Sequence, residues 1–98
     1  MSRNSYLVAY DICGDAKRLR QIHKCMQGFG YPLQYSVFLC SLDQMELITL
    51  KTEVGEIMNH REDSIMIVSL GPEDTAIESH FEFMGVHPDV FEGGPVII

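Results

Sequence analysis

The sequence predicts an α+β fold, and three observations carry that prediction. An almost continuous apolar run, Tyr6-Leu7-Val8-Ala9-Tyr10-Asp11-Ile12, has the composition and length of a buried central strand. Two later stretches each place apolar residues at helical spacing just behind an aspartate. A second aliphatic run, Ile65-Met66-Ile67-Val68-Ser69-Leu70, follows them and stops at Gly71-Pro72.

The first strand ends in Asp11, which faces the loop Cys13-Gly14-Asp15. Asp15 is the expected N-cap of a helix running to about Gln27. Leu19, Ile22, His23 and Met26 fall at i, i+3, i+4 and i+7, one buried stripe, with Lys17, Arg18, Arg20 and Lys24 mostly off it. Gly28-Phe29-Gly30 is expected to close this helix with a left-handed cap. Residues 31–42 have strand composition throughout, with Pro32 confined to the start or an edge. They fit either one sharply bent strand or a tightly turned pair. Asp43-Gln44-Met45-Glu46 has the cap-x-x-Glu pattern of a helix start. Leu47, Leu50, Val54, Ile57 and Met58 continue at helical spacing to about Asn59. Gly55 within this helix costs about 1 kcal/mol of propensity and is expected to mark a close helix–sheet approach. The order is β-α-β(β)-α-β, with two helices on one face of an open antiparallel sheet, the ferredoxin-like arrangement. One domain is expected over residues 1–98, with a core at about 5–71 and a C-terminal extension at about 72–98. Phe81-Glu82-Phe83 alternates, and Pro95-Val96-Ile97-Ile98 is an apolar end with no place in a four-stranded core.

With 46% hydrophobic residues, 21% charged and 4 prolines, the composition is globular. No apolar run approaches the length of a bilayer span, and Met1-Ser2-Arg3-Asn4-Ser5 lacks a signal-peptide stretch, so a cytoplasmic location is expected. Cys13, Cys25 and Cys40 are odd in number and lack CxxC spacing, which fits reduced thiols better than a disulfide or zinc framework. The net charge of −7 is unevenly spread. Residues 1–42 hold five basic side chains against two acids; residues 43–98 hold Lys51 and Arg61 against twelve carboxylates. One half can therefore meet phosphate while the other stays solvated or meets a basic partner.

Asp11 is the sharpest chemical candidate. A carboxylate directly after a buried strand is either held at the working edge of a sheet or serves as a turn cap. One carboxylate makes a poor Mg²⁺ site, but a twofold axis near Asp11 would supply a symmetric pair. Such an ion polarises phosphate and activates water. Arg18 and Arg20 can hold phosphate oxygens or form a solvated helix face. Tyr10 and Phe38 can stack on bases or fill the core. Ser36 can contact a phosphate or satisfy a turn. His23 reads as a packed core residue, and His60, His80 and His87 share no ligand spacing. No GxSxG, P-loop, GxGxxG or Cys–His signature is present.

The ordered set of Tyr6–Ile12, Lys17-Arg18-Leu19-Arg20, Gly28-Phe29-Gly30 and Gln34-Tyr35-Ser36-Val37-Phe38 resembles one family. It is the second of the two universal CRISPR-associated adaptation proteins, the small partner of the spacer integrase. Glu62-Asp63-Ser64 before an aliphatic strand fits the same pattern, and the resemblance covers roughly residues 6–71. It implies a ferredoxin-like homodimer whose sheets face each other, with Asp11 as metal ligand and catalytic residue. One Mg²⁺ or Mn²⁺ would be shared between the two Asp11 carboxylates. It further implies a metal-dependent endonuclease, acting on single-stranded RNA or double-stranded DNA in spacer acquisition. The alternative is a non-catalytic DNA-binding adaptor that bridges integrase subunits. Tyr10, Ser36 and Phe38 would form the supporting shell, and Lys17, Arg18 and Arg20 the nucleic-acid contacts. Family members often carry an arginine two residues before the Gln of this motif, where this chain has Pro32. By the same analogy, the C-terminal extension adds a strand to the partner's sheet or meets the integrase.

Overall fold

A computed structural model describes residues 2–86 of the chain. Its elements run β1 (Asn4–Asp11), α1 (Ala16–Met26), β2 (Gly30–Gln34), β3 (Val37–Leu42), α2 (Gln44–Ile57), β4 (Ser64–Pro72) and a short 3₁₀ turn, Ile77–His80. The strands form one antiparallel sheet in the order β2-β3-β1-β4, the ferredoxin-like topology expected from sequence.

Both helix starts follow from their aspartates. Asp15 accepts the Arg18 backbone N–H at 2.9 Å. Asp43 and Glu46 close a full capping box, with reciprocal bonds of 2.8 and 2.9 Å. The stretch 31–42 resolves into a hairpin rather than one bent strand, turning at Tyr35-Ser36 with a register shift between Pro32 and Gln34. Pro32 lies on edge strand β2, where the missing N–H costs no ladder bond on the open side.

Two glycine expectations are corrected. Neither Gly28 nor Gly30 has a positive φ, so α1 ends on right-handed Gln27 rather than on a left-handed cap. Gly30 instead answers a close approach, since a Cβ there would sit 2.3 Å from the Leu39 carbonyl oxygen. Gly55 answers none, because a Cβ there would meet nothing within 4 Å.

Strand alternation divides the side chains between two faces. Tyr6, Val8 and Tyr10 of β1 join Phe38, Cys40 and Leu42 of β3 beneath Ile22, Met26, Leu47, Leu50 and Val54 of the helices. Leu7, Leu33, Val37 and Leu39 lie on the opposite face, where Ile77, Phe81 and Phe83 pack over them. Phe81-Glu82-Phe83 thus forms a cover rather than a strand. The expected strand from residues 95–98 lies outside the described residues.

Candidate active site

Asp11 is the last residue of β1, with the exposed Ser64 of β4 directly across the ladder. Its carboxylate makes no hydrogen bond or ion pair among the described residues. Ala9, Tyr10, Asp11, Ser64 and Met66 line a shallow depression of about 230 Å³ at this corner. From there, Met66 (55% exposed), Val68 (36%) and Leu70 (37%) extend an uncovered apolar stripe along β4. Asp11 therefore stands beside a patch that Ile77, Phe81 and Phe83 leave open.

The backbone on both sides of Asp11 is fixed. The Tyr10 N–H donates to the Ser36 carbonyl at 3.0 Å. Two residues beyond Asp11, the Cys13 N–H donates to Asp63 Oδ1 at 2.9 Å. Asp63 is fully buried in its side chain and takes a bidentate fork from Arg18, Nε to Oδ2 at 2.6 Å and Nη2 to Oδ1 at 3.1 Å. It also accepts the Asn59 N–H at 2.8 Å. These donors, the Arg18 fork foremost, hold its carboxyl well below the usual carboxylate range.

Arg18 is spent on this network. Its Nη1 reaches Asp15 Oδ2 at 3.0 Å, while Nη2 also reaches the Cys13 carbonyl at 3.0 Å and Glu62 at 3.4 Å. With 15% of its side chain exposed, the guanidinium has little left to offer phosphate. Its bond to Asp63 and the acids around it raise its pKa above the ordinary arginine value. Lys17 and Arg20 are different: both are exposed, and neither forms an ion pair among the described residues.

Tyr10 and Phe38 belong to the core, so the base-stacking reading gives way to the packing one. Phe38 is fully buried and Tyr10 is 5% exposed, both on the face opposite the side chain of Asp11. The Tyr10 hydroxyl donates to the Tyr35 carbonyl at 2.9 Å. His23 Nδ1 lies 3.0 Å from both that carbonyl and the Tyr10 hydroxyl oxygen. A carbonyl only accepts, so the network assigns the proton to Nδ1. Burial, with Tyr35 nearby, pushes the Tyr10 phenol up to about 12. Ser36 is half-buried, and its carbonyl secures β1. Ser36 and Tyr10 thus support the strand end through the backbone.

Sequence reasoning missed Asp63 as part of this corner. The available signal was topological: β4 antiparallel to β1 places the residue before β4 beside the segment leaving β1.

The CRISPR associated protein Cas2 family profile matches residues 4–76. The chain belongs to the Cas2 family. It is 45% identical over 69 residues to a CRISPR-associated endoribonuclease Cas2 of Geobacter sulfurreducens, covering 70% of this chain and 72% of that one. It is 33% identical to a CRISPR-associated endonuclease Cas2 of Halalkalibacterium halodurans, covering 93% and 96%. The Cas2 structure of Streptococcus pyogenes at pH 6.5 superposes with a TM-score of 0.73 at 30% identity, covering 83% of this chain and 99% of that one. The family thereby confirms the resemblance read from the motifs. No helix among the described residues is long and apolar enough to cross a membrane.

Proposed function

We propose that this Cas2 family chain is a metal-dependent endonuclease acting in CRISPR spacer acquisition as a homodimer, with Asp11 as its catalytic carboxylate. The observation that carries the proposal is an unpartnered carboxylate on a doubly anchored strand end, beside an apolar stripe that a second copy can cover. The names of its relatives, endoribonuclease and endonuclease, supply the reaction class.

No cluster of three or more His, Cys, Asp or Glu suited to a metal exists among the described residues. One chain alone offers a single carboxylate, too few for a stable Mg²⁺ or Mn²⁺ site. Two copies related by a twofold axis through this corner would present both Asp11 side chains to one ion. When bound, such an ion supplies Lewis-acid polarisation of a phosphate and a more acidic water. The chain's own part is to hold the carboxylates in place and attract the substrate. The ladder to β4 and the bonds at Tyr10 and Cys13 limit the Asp11 backbone, so little reorganisation accompanies binding. Lys17 and Arg20 contribute exposed positive charge for the nucleic-acid backbone.

Cleavage of labelled single-stranded RNA and double-stranded DNA, with Mg²⁺, Mn²⁺ or EDTA, tests this reading. Native protein should cut only with metal, and Asp11→Ala should lose on the order of 100-fold or more of that activity while remaining folded. Equal cutting by Asp11→Ala would remove Asp11 from the chemistry.

A second reading, a non-catalytic adaptor holding DNA against integrase subunits, is favoured by the free Lys17 and Arg20 and by Pro32. No cleavage by intact native dimer, with DNA binding lost on substituting Lys17 and Arg20 together, would establish it.

A further inference from the structure

Arg18 sits in a run of basic residues, yet it faces inward. Its guanidinium makes five hydrogen bonds, to Asp63, Asp15, Glu62 and the Cys13 carbonyl. Asp63 spends its two oxygens on Arg18, the Cys13 N–H and the Asn59 N–H. Arg18 and Asp63 thus hold both backbone polar groups of Cys13, two residues after Asp11. The three segments that meet here are the exit of β1, the first turn of α1 and the entry of β4. Ser64, next to Asp63, is itself the ladder partner of Asp11.

We propose that Arg18 and Asp63 are positioning residues for Asp11, a buried clamp that fixes the exit of β1, and that Arg18 does not contact the nucleic acid. The proposal rests on Asp11 being the working carboxylate. A clamp of this kind acts like the outer partners of a metal ligand, whose loss typically weakens metal affinity or turnover about 10- to 100-fold. It also accounts for a buried charged pair at a surface corner. Removing Arg18 leaves the buried Asp63 carboxylate without its counter-charge, and removing Asp63 leaves Arg18 without its fork and the Cys13 and Asn59 amides without their acceptor.

The test compares Arg18→Lys, Arg18→Gln, Asp63→Asn and the R18Q/D63N double variant with Arg20→Gln, after confirming that each is folded. Backbone amide exchange at Asp11 and Cys13 is measured together with Mn²⁺ affinity, kcat, KM and the salt dependence of nucleic-acid binding. The expected result for Arg18→Gln and Asp63→Asn is faster exchange at Cys13 and Asp11. Mn²⁺ affinity or kcat should fall about 10- to 100-fold, with KM within about twofold and an unchanged salt slope. The double variant should resemble either single variant, because the two residues act as one unit. Arg18→Lys, which keeps charge but not the fork, should fall between native and Arg18→Gln. Arg20→Gln should instead lower the salt slope by roughly one phosphate contact.

A salt slope reduced by Arg18→Gln as much as by Arg20→Gln would overturn the proposal. So would unchanged exchange at Cys13, or additive losses in the double variant. If native protein cleaves nothing, the nuclease reading fails separately. Exchange at Asp11 and Cys13 and the salt slope would still decide whether Arg18 and Asp63 form the clamp.

Discussion

The two faces of the sheet are built from alternate residues of the same strands, yet they do different work. On the helix face, Val8, Tyr10 and Phe38 are buried and fully surrounded. On the other face, Ile77, Phe81 and Phe83 cover the β2–β3 half and leave Asp11, Met66 and Val68 exposed. The first face supplies the packed core; the second leaves a carboxylate and an apolar stripe uncovered, which the proposed function assigns to a metal ion and a second copy. Under the proposed function, a single residue's parity along β1 separates positions whose loss unfolds the chain from the one whose loss disables it.

That division can be broken most forcefully from the core side. Phe38→Ala should cost about 3–5 kcal/mol in urea unfolding, because the site is closed on all sides. Asp11→Ala should change the same measurement by less than about 0.5 kcal/mol. Comparable losses for the two would erase the distinction.

If the proposed dimer forms through the open face, a charge there should separate the copies without unfolding them. Val68→Asp is expected to convert the dimer to monomer in sedimentation, by desolvating a carboxylate against an apolar partner. Its circular dichroism spectrum should remain native. A variant that stays dimeric would move the interface elsewhere.

The third and smallest effect concerns acid. Asp63 has its carboxyl depressed in the folded chain by Arg18 and two backbone amides. A depressed acid stabilises the fold above its unfolded value of about 4 and loses that contribution as pH falls toward the folded value. Native protein should therefore lose stability below about pH 4, and Asp63→Asn should show a flatter acid limb. Parallel limbs would mean that Asp63 is not the group being titrated.

Much of the fold was legible because local chemistry repeats the global answer. β1 announces itself by apolarity, and both helices by aspartate caps that the structure reproduces. The hairpin within 30–42 was undecided because its turn, Tyr35-Ser36, carries no glycine or asparagine. Gly30 was misread for a related reason: a glycine needed for a close approach to Leu39 looks, in sequence, like one needed for a positive φ.

The position of Asp11 at an exposed strand end was legible in the sequence, whereas the engagement of Arg18 with acids was not. Lys17, Arg18 and Arg20 form one basic cluster in sequence, but only a partner 45 residues away reveals that Arg18 is committed. Tyr10 and Phe38 had two readings until strand parity placed them under the helices. The cover formed by Ile77, Phe81 and Phe83 was missed because the alternation of Phe81-Glu82-Phe83 is too short to tell an irregular cover from a strand.

The account turns on Asp11 being exposed for a shared ion rather than for solvent alone. Mn²⁺ titration of the intact dimer, followed by electron paramagnetic resonance, tests this directly. The expected result is one ion per two chains in native protein and none retained by Asp11→Ala. One ion per chain, or undiminished binding by Asp11→Ala, would contradict it.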